Sequence, residues 1–306
     1  MIQTAWVFPG QGSQTVDMGV DLSQIPAAQA KFEKAKQILG WSIVNVCQSG
    51  EDKLSHTLYT QPCLYVIESI LVDLLKDRGH QPQFVAGHSL GEYVALYAAG
   101  VFDFETGLRL VKRRAELMEM ADGGKMVAIM GFKREQLEAE VEKNPNVVIA
   151  NDNSATQVVI SGTPEGVDAL LSQVKTRRAV ALKVSGAFHS PLMAEAAQQF
   201  QAVLDAAAFA DASIPVLSNV NPCPTTDASE LKDRLVQQMT GSVRWQEIMA
   251  QFPELGVEKA IEVGPGQVLS GLLKRAHSSL LRDNVGTASD LDRFVGSEVE
   301  KELVLA

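Results

Sequence analysis

The sequence predicts an α/β protein with a parallel, doubly wound body and a compact second lobe inserted into it. Three observations carry that prediction. Short apolar runs alternate with helical patterns and end in glycine turns. The middle of the chain reads strand, helix, strand, strand, helix, strand. With 306 residues, 46% hydrophobic and 21% charged, the chain is long and apolar enough to bury a sizeable core.

Residues 4–8, TAWVF, read as the first strand, stopped by Pro9-Gly10. The apolar-rich region from Cys63 to Leu75 is interrupted by Glu68 and Asp73, which suits an amphipathic or half-buried helix better than a membrane span. QFVAG, residues 83–87, reads as a second strand feeding Gly87-His88-Ser89-Leu90-Gly91 and then a run of helix formers.

From Lys125 onward the pattern is strand KMVAIMGF, helix KREQLEAEVEKN, strand VVIAND, strand TQVVISG, helix PEGVDALLSQVKTRR and strand AVALKV. That order is the split βαβ of a ferredoxin-like unit. EKAIEVGPG, residues 258–266, returns to the body as a third strand ending in a Gly-Pro-Gly turn, and QVLSGLLKR follows as a helix. Ligands of doubly wound sheets sit at the carboxyl ends of the strands. All three glycine turns of the body fall at such ends. The C-terminal stretch from Ser278, SSLLRDNVGTASDLDRFVGSEVEKELVLA, is polar and charged and is expected to be partly mobile.

The formal net charge of −10 argues against nucleic acid as the main ligand, because phosphate backbones attract basic surfaces. The five histidines show no metal-ligand spacing, so no metal is expected. Cys47, Cys63 and Cys223 are far apart in sequence and form no Cys-x-x-Cys pair, which fits buried thiols in a reducing cytosol. The N-terminus has no basic head and no apolar signal core, so export is not expected.

Four side chains stand out chemically. Ser89 lies between two glycines at a strand-to-helix junction, where a sharp turn with an uncomfortable backbone lifts a serine oxygen clear of the sheet. The alternative is an idle serine in a glycine-punctuated turn. Gln11, in VFPGQGSQ, occupies another glycine-flanked turn. That turn lacks the third glycine and the Gly-Lys-Ser/Thr ending of a phosphate loop. His189, in VSGAFHSPLM, follows the last strand of the inserted lobe and can reach a cleft, or can be a satisfied structural histidine. Arg114 is set in the middle of an apolar helical face, with Leu110 and Leu117 on one side and Val111 and Met118 on the other. A charge there needs a partner. That partner is either a carboxylate of the chain or one that arrives with a ligand and is gripped by two parallel hydrogen bonds.

Taken together, VFPGQGSQ, TQPCLYV, GHSLGEY, the Arg114 helix, NSATQVVISG, AFHSPLM, SVRW and EVGPGQVLSGL occur in an order spread over nearly the whole chain. The set resembles the malonyl-CoA:acyl carrier protein transacylase family of type II fatty acid synthesis. Malonyl-selective members are similar in their Ala-Phe-His and in an aliphatic residue after the nucleophile, here Leu90. The resemblance implies an α/β-hydrolase-like body, residues 1–123 and 190–306, with a ferredoxin-like insert, residues 124–189. It implies Ser89 as nucleophile and His189 as general base, with backbone N–H groups of Gln11 and Leu90 as the oxyanion site. Arg114 would clamp the malonyl carboxylate and Gln61 would line the pocket. A backbone carbonyl at Gln238 would orient the histidine. The chain departs from many relatives in having Gly241-Ser242-Val243 where they carry Asn-Pro-Val.

The activity so implied is ping-pong transfer of malonyl from malonyl-CoA to the phosphopantetheine thiol of acyl carrier protein. It needs no cofactor, since malonyl-CoA and the carrier are substrates. The expected setting is a cytoplasmic monomer with no nucleic acid or membrane partner. Arg177-Arg178, Lys183 and Lys274-Arg275 are candidate contacts for an acidic carrier or for coenzyme A phosphates, or else solvated surface charges. Rival readings are a loading acyltransferase of a polyketide pathway, a Ser-His esterase or thioesterase, and a non-catalytic carrier-binding module. A generic esterase has little use for Arg114.

Overall fold

The computed structural model describes the backbone of residues 2–305 and the side chains of residues 2–296. Among the described residues nine strands form two sheets. The first holds β1 (Thr4–Phe8), β2 (Phe84–Gly87), β7 (Val216–Leu217), β8 (Lys259–Val263) and β9 (Leu281–Val285), in the order β7-β2-β1-β8-β9. Every pairing in it is parallel. Ala5, Trp6, Val7 and Phe8 are all buried, as a strand covered on both faces requires. The second sheet holds β3 (Lys125–Met130), β4 (Val147–Ser154), β5 (Gln157–Gly162) and β6 (Arg178–Ala181), antiparallel in the order β4-β5-β3-β6. Numbered within the lobe that order is 2-3-1-4, the arrangement of a split βαβ unit.

The longer helices that position the site are α1 (Thr57–Asp77), α2 (Gly91–Ala98), α3 (Phe104–Glu119) and α4 (Ala228–Gln238). Asp103 caps α3 by accepting the Thr106 N–H at 2.8 Å, and Asp227 caps α4 through Glu230 N–H at 2.7 Å. The second sheet is tied to the body at Val243, whose N–H donates to Ala150 O at 2.8 Å and whose carbonyl accepts from Asp152 N–H at 2.9 Å.

Four expectations need correction. The region from Cys63 to Leu75 is not half-buried: it lies in α1, which is closed in on nearly every side between the sheet and its helical neighbours. Among the described residues, α1 is the one helix long and apolar enough to cross a membrane, and 83% of its most apolar window is buried inside the protein. Cys47 and Cys63 are buried free thiols, but Cys223 is exposed in a loop. The C-terminal stretch is built into the fold, because β9 pairs with β8 over five residues and a helix follows from Ala288; the side chains beyond Gly296 lie outside the described residues. The second helix of the inserted lobe stops at Gln173. Val174 turns to an extended backbone there, and Arg178 opens β6.

Candidate active site

Strands β2, β1 and β8 are neighbours, so the turns that leave their carboxyl ends converge. Glycine at these turns is required for clearance. A Cβ on Gly91 would lie 2.1 Å from Phe8 O, and one on Gly10 would lie 2.4 Å from His88 O. The glycines beside Ser89 therefore let the first two turns pack together. The strained backbone expected of them is carried by Ser89 itself, at φ +52°, a left-handed conformation uncommon for a residue with a side chain.

Ser89 Oγ is 2.8 Å from His189 Nε2 across 100 residues of sequence. His189 also has a positive φ, +55°. Its Nδ1 faces Gln238 O at 2.9 Å and Gly241 O at 3.2 Å, so the proton sits on Nδ1 and Nε2 is left as the acceptor for the serine hydroxyl. Burial, then the Arg114 charge, pushes the His189 pKa down to about 3. The imidazole is neutral and able to accept a proton throughout the physiological range.

Arg114 is fully buried on α3. Nη1 donates to Gln61 Oε1 at 2.8 Å, while Nη2 donates both to Ser89 Oγ and to Gln238 Oε1, each at 3.1 Å. The guanidinium also lies 5.3 Å from the Tyr93 ring centre. Among the described residues it pairs with no carboxylate, and its Nε has no hydrogen-bond partner. Burial lowers its pKa, against the opposing pull of Tyr93 and Glu92.

Gln11 Nε2 donates to Thr57 Oγ1 at 3.1 Å, and Gln11 Oε1 is buried without a partner. Among the described residues the backbone N–H groups of Gln11 and Leu90 donate to no other group. Gln11, Gln61, His88, Ser89, Met118 and His189 share the wall of a narrow cleft of about 70 Å³. It admits a small acyl group. Leu182 and Val184, just after β6, close its other side.

Two residues not singled out from the sequence, Asn219 and Glu92, hold the serine turn together with the Gln238 side chain. Asn219 Oδ1 accepts from Ser89 N–H at 2.7 Å, and its Nδ2 donates to Gly87 O at 2.6 Å. Gln238 Nε2 donates to Ser89 O at 2.9 Å and to Glu92 Oε2 at 2.7 Å. Glu92, fully buried with its pKa raised by burial, also accepts from Asn219 N–H at 3.1 Å. Gln238 was named for its backbone carbonyl alone; its side chain also joins Arg114, Ser89 and Glu92. A neutral base on a serine, two free N–H groups and a buried cation beside a small cleft together suit acyl transfer from a small acidic thioester.

The family model for the acyl transferase domain matches residues 5–295. The chain is 58% identical over 291 residues to a malonyl CoA-acyl carrier protein transacylase of Synechocystis, covering 95% of this chain and 99% of that one. The crystal structure of a Synechocystis malonyl-CoA:ACP transacylase superposes with a TM-score of 0.94 at 58% identity, covering 95% of this chain and 100% of that chain. The malonyl-transacylase in a structure of its complex with a type II polyketide acyl carrier protein matches at 35% identity with a TM-score of 0.90, covering 96% of this chain and 99% of that chain. On that sequence and structural evidence the chain belongs to the acyl transferase domain family, among the malonyl CoA-acyl carrier protein transacylases.

Proposed function

We propose that the chain transfers the malonyl group from malonyl-CoA to the phosphopantetheine thiol of acyl carrier protein, supplying fatty acid chain elongation. The observation that carries this reading is the contact of Ser89 Oγ with both His189 Nε2, at 2.8 Å, and Arg114 Nη2, at 3.1 Å. In the first half-reaction His189 Nε2 takes the serine proton as Oγ bonds to the thioester carbonyl carbon. The N–H groups of Gln11 and Leu90 receive the oxyanion. As the tetrahedral species collapses, the C–S bond breaks and His189 returns the proton to the sulfur, so coenzyme A leaves as the thiol. The carrier thiol then gives its proton to His189, its sulfur bonds to the malonyl carbon, and Ser89 leaves and is reprotonated.

Arg114 receives the malonyl carboxylate, Gln61 lines the acyl site, and the Gln238 carbonyl holds the histidine in its productive tautomer. No cofactor enters the route; malonyl-CoA and the phosphopantetheinylated carrier are both substrates. The enzyme acts as a cytoplasmic monomer. Among the basic candidates, Arg275 reaches Gln157 Oε1 at 3.3 Å, while Lys183 stands beside the cleft residues Leu182 and Val184 and is the better placed to meet a phosphate. The polyketide-loading and esterase readings are not favoured, given the 58% identity to a transacylase and the buried Arg114 in the site.

In this reading residues 1–123 and 190–306 form an α/β-hydrolase-like body and residues 124–189 a ferredoxin-like insert. Support comes from the strand orders and from the close approach of the two connections, where a Cβ on Gly124 would lie 2.2 Å from Ala187 N. Intact-mass spectrometry tests the activity. Malonyl-CoA alone must add one malonyl group, and a phosphopantetheinylated carrier must remove it.

A further inference from the structure

The sequence reads Arg114 as held for a carboxylate, either of the chain or of a ligand; in the fold its hydrogen bonds go to neutral groups. The guanidinium has no exposed surface. The cleft is walled in front of it by Gln61, Ser89 and Met118, and Gln61 is itself held there by its Nε2 contact to Met118 Sδ at 3.3 Å. A substrate carboxylate that approaches Arg114 from the cleft competes for the hydrogen bonds now made to Gln61 and Ser89. One of those bonds ends on the nucleophile.

The serine hydroxyl has one proton, which points to His189 Nε2, so Ser89 Oγ accepts from Arg114. That bond occupies a lone pair of the attacking atom. It also places a positive charge beside the nitrogen that must receive the proton. We propose that the carboxylate of the substrate is an activator as well as a handle: by drawing Arg114 off Ser89 Oγ it releases the nucleophile, so the enzyme is held back until an acyl group carrying a negative charge is in the cleft.

The bonding of Arg114 favours such an exchange. Among the described residues its Nε has no acceptor, Nη2 donates to Ser89 Oγ and Gln238 Oε1, and all its hydrogen-bond partners are neutral. A carboxylate offers charge-assisted bonds, roughly twice as strong as neutral ones. The charged and titratable groups around His189 agree. Arg114 faces it from α3 and His88 from the end of β2, both holding its basicity down, while Glu92 and Tyr93 on α2 face Arg114. Neutralising Arg114 restores basicity to the imidazole just as the proton has to move.

The inference rests on the malonyl reading, and its test separates the two. Labelling of Ser89 by a small uncharged fluorophosphonate, followed by intact mass without any acyl-CoA, should be about tenfold faster in Arg114→Ala than in the wild type, as expected for losing one charge-assisted bond to the oxygen. Equal or slower labelling in a variant that melts normally would overturn the proposal. A second measurement needs no variant. Single-turnover acylation of the wild type by malonyl-CoA and by its uncharged methyl ester should differ in kcat; a difference confined to KM would mean uniform binding and would equally overturn it. Failure of malonyl-CoA to acylate the wild type would instead remove the malonyl reading, whatever the labelling rates.

Discussion

Asn219 holds the nucleophile's turn from both sides, accepting from Ser89 N–H at 2.7 Å and donating to Gly87 O at 2.6 Å. A serine at φ +52° keeps that conformation only where its surroundings over-determine it. Asn219→Ala leaves two backbone groups unpaired, each costing about 1–3 kcal/mol where it remains buried. The variant should melt lower and acylate at least about tenfold more slowly, since small displacements of a nucleophile are expensive. Unchanged single-turnover acylation by malonyl-CoA would show that the turn holds its shape without Asn219.

Ser89→Ala should abolish the malonyl adduct. Intact mass after incubation with malonyl-CoA reads this directly, and an adduct of undiminished yield would move the nucleophile elsewhere.

His189→Ala should slow acylation by about 10²–10⁴-fold, the usual contribution of a positioned base. The pH dependence is equally specific. With its pKa pushed down to about 3, His189 stays unprotonated in the folded protein, and wild-type acylation should not fall as pH is lowered from 8 to 5 through loss of this base. The unfolded chain protonates the same imidazole below about 6.5. Between those values the unfolded state binds more protons, so stability falls as pH is lowered through that window. Melting curves of the wild type and of His189→Asn over this range should converge as the pH drops.

Arg114→Ala should lose malonyl transfer by about 10–150-fold, the loss of a hydrogen bond to a charged group. Acetyl transfer should improve, because acetyl-CoA brings no carboxylate to lose and Ser89 Oγ no longer accepts from Arg114. Parallel loss of both activities with a depressed melting temperature would make Arg114 a structural cation only.

Glu68 is buried on α1 with neither carboxyl oxygen hydrogen-bonded among the described residues. Burial, and then the nearby Glu262, raises its pKa well above the usual carboxyl value. The folded state therefore holds a proton that the unfolded chain releases above about 4.5, and stability falls as pH rises above that value. Glu68→Gln should melt higher than the wild type at pH 8, with the gap narrowing towards pH 5. A gap independent of pH would mean that Glu68 is ionised in the fold.

What the sequence alone determined was local. The glycine turns at the ends of β1, β2 and β8, the strand order of the inserted lobe, and Arg114 on an apolar face are all properties of a few consecutive residues. Spacing and chemistry dictate them, so Ser89, His189 and Arg114 could be picked out one by one. Their meeting could not be read in this way. Asn219 lies 130 residues from Ser89 in a stretch without helical or strand periodicity. Glu92 reads as an ordinary helix residue, and Gln238 as the last residue of α4. Only packing of the body brings these amides and the carboxyl onto one turn, where burial makes each donor find an acceptor. The tertiary structure also decided that Arg114 is closed onto Ser89 and Gln61. A guanidinium shut away from water must bond to whatever neutral groups surround it, and which groups those are depends on three helices that the sequence leaves far apart.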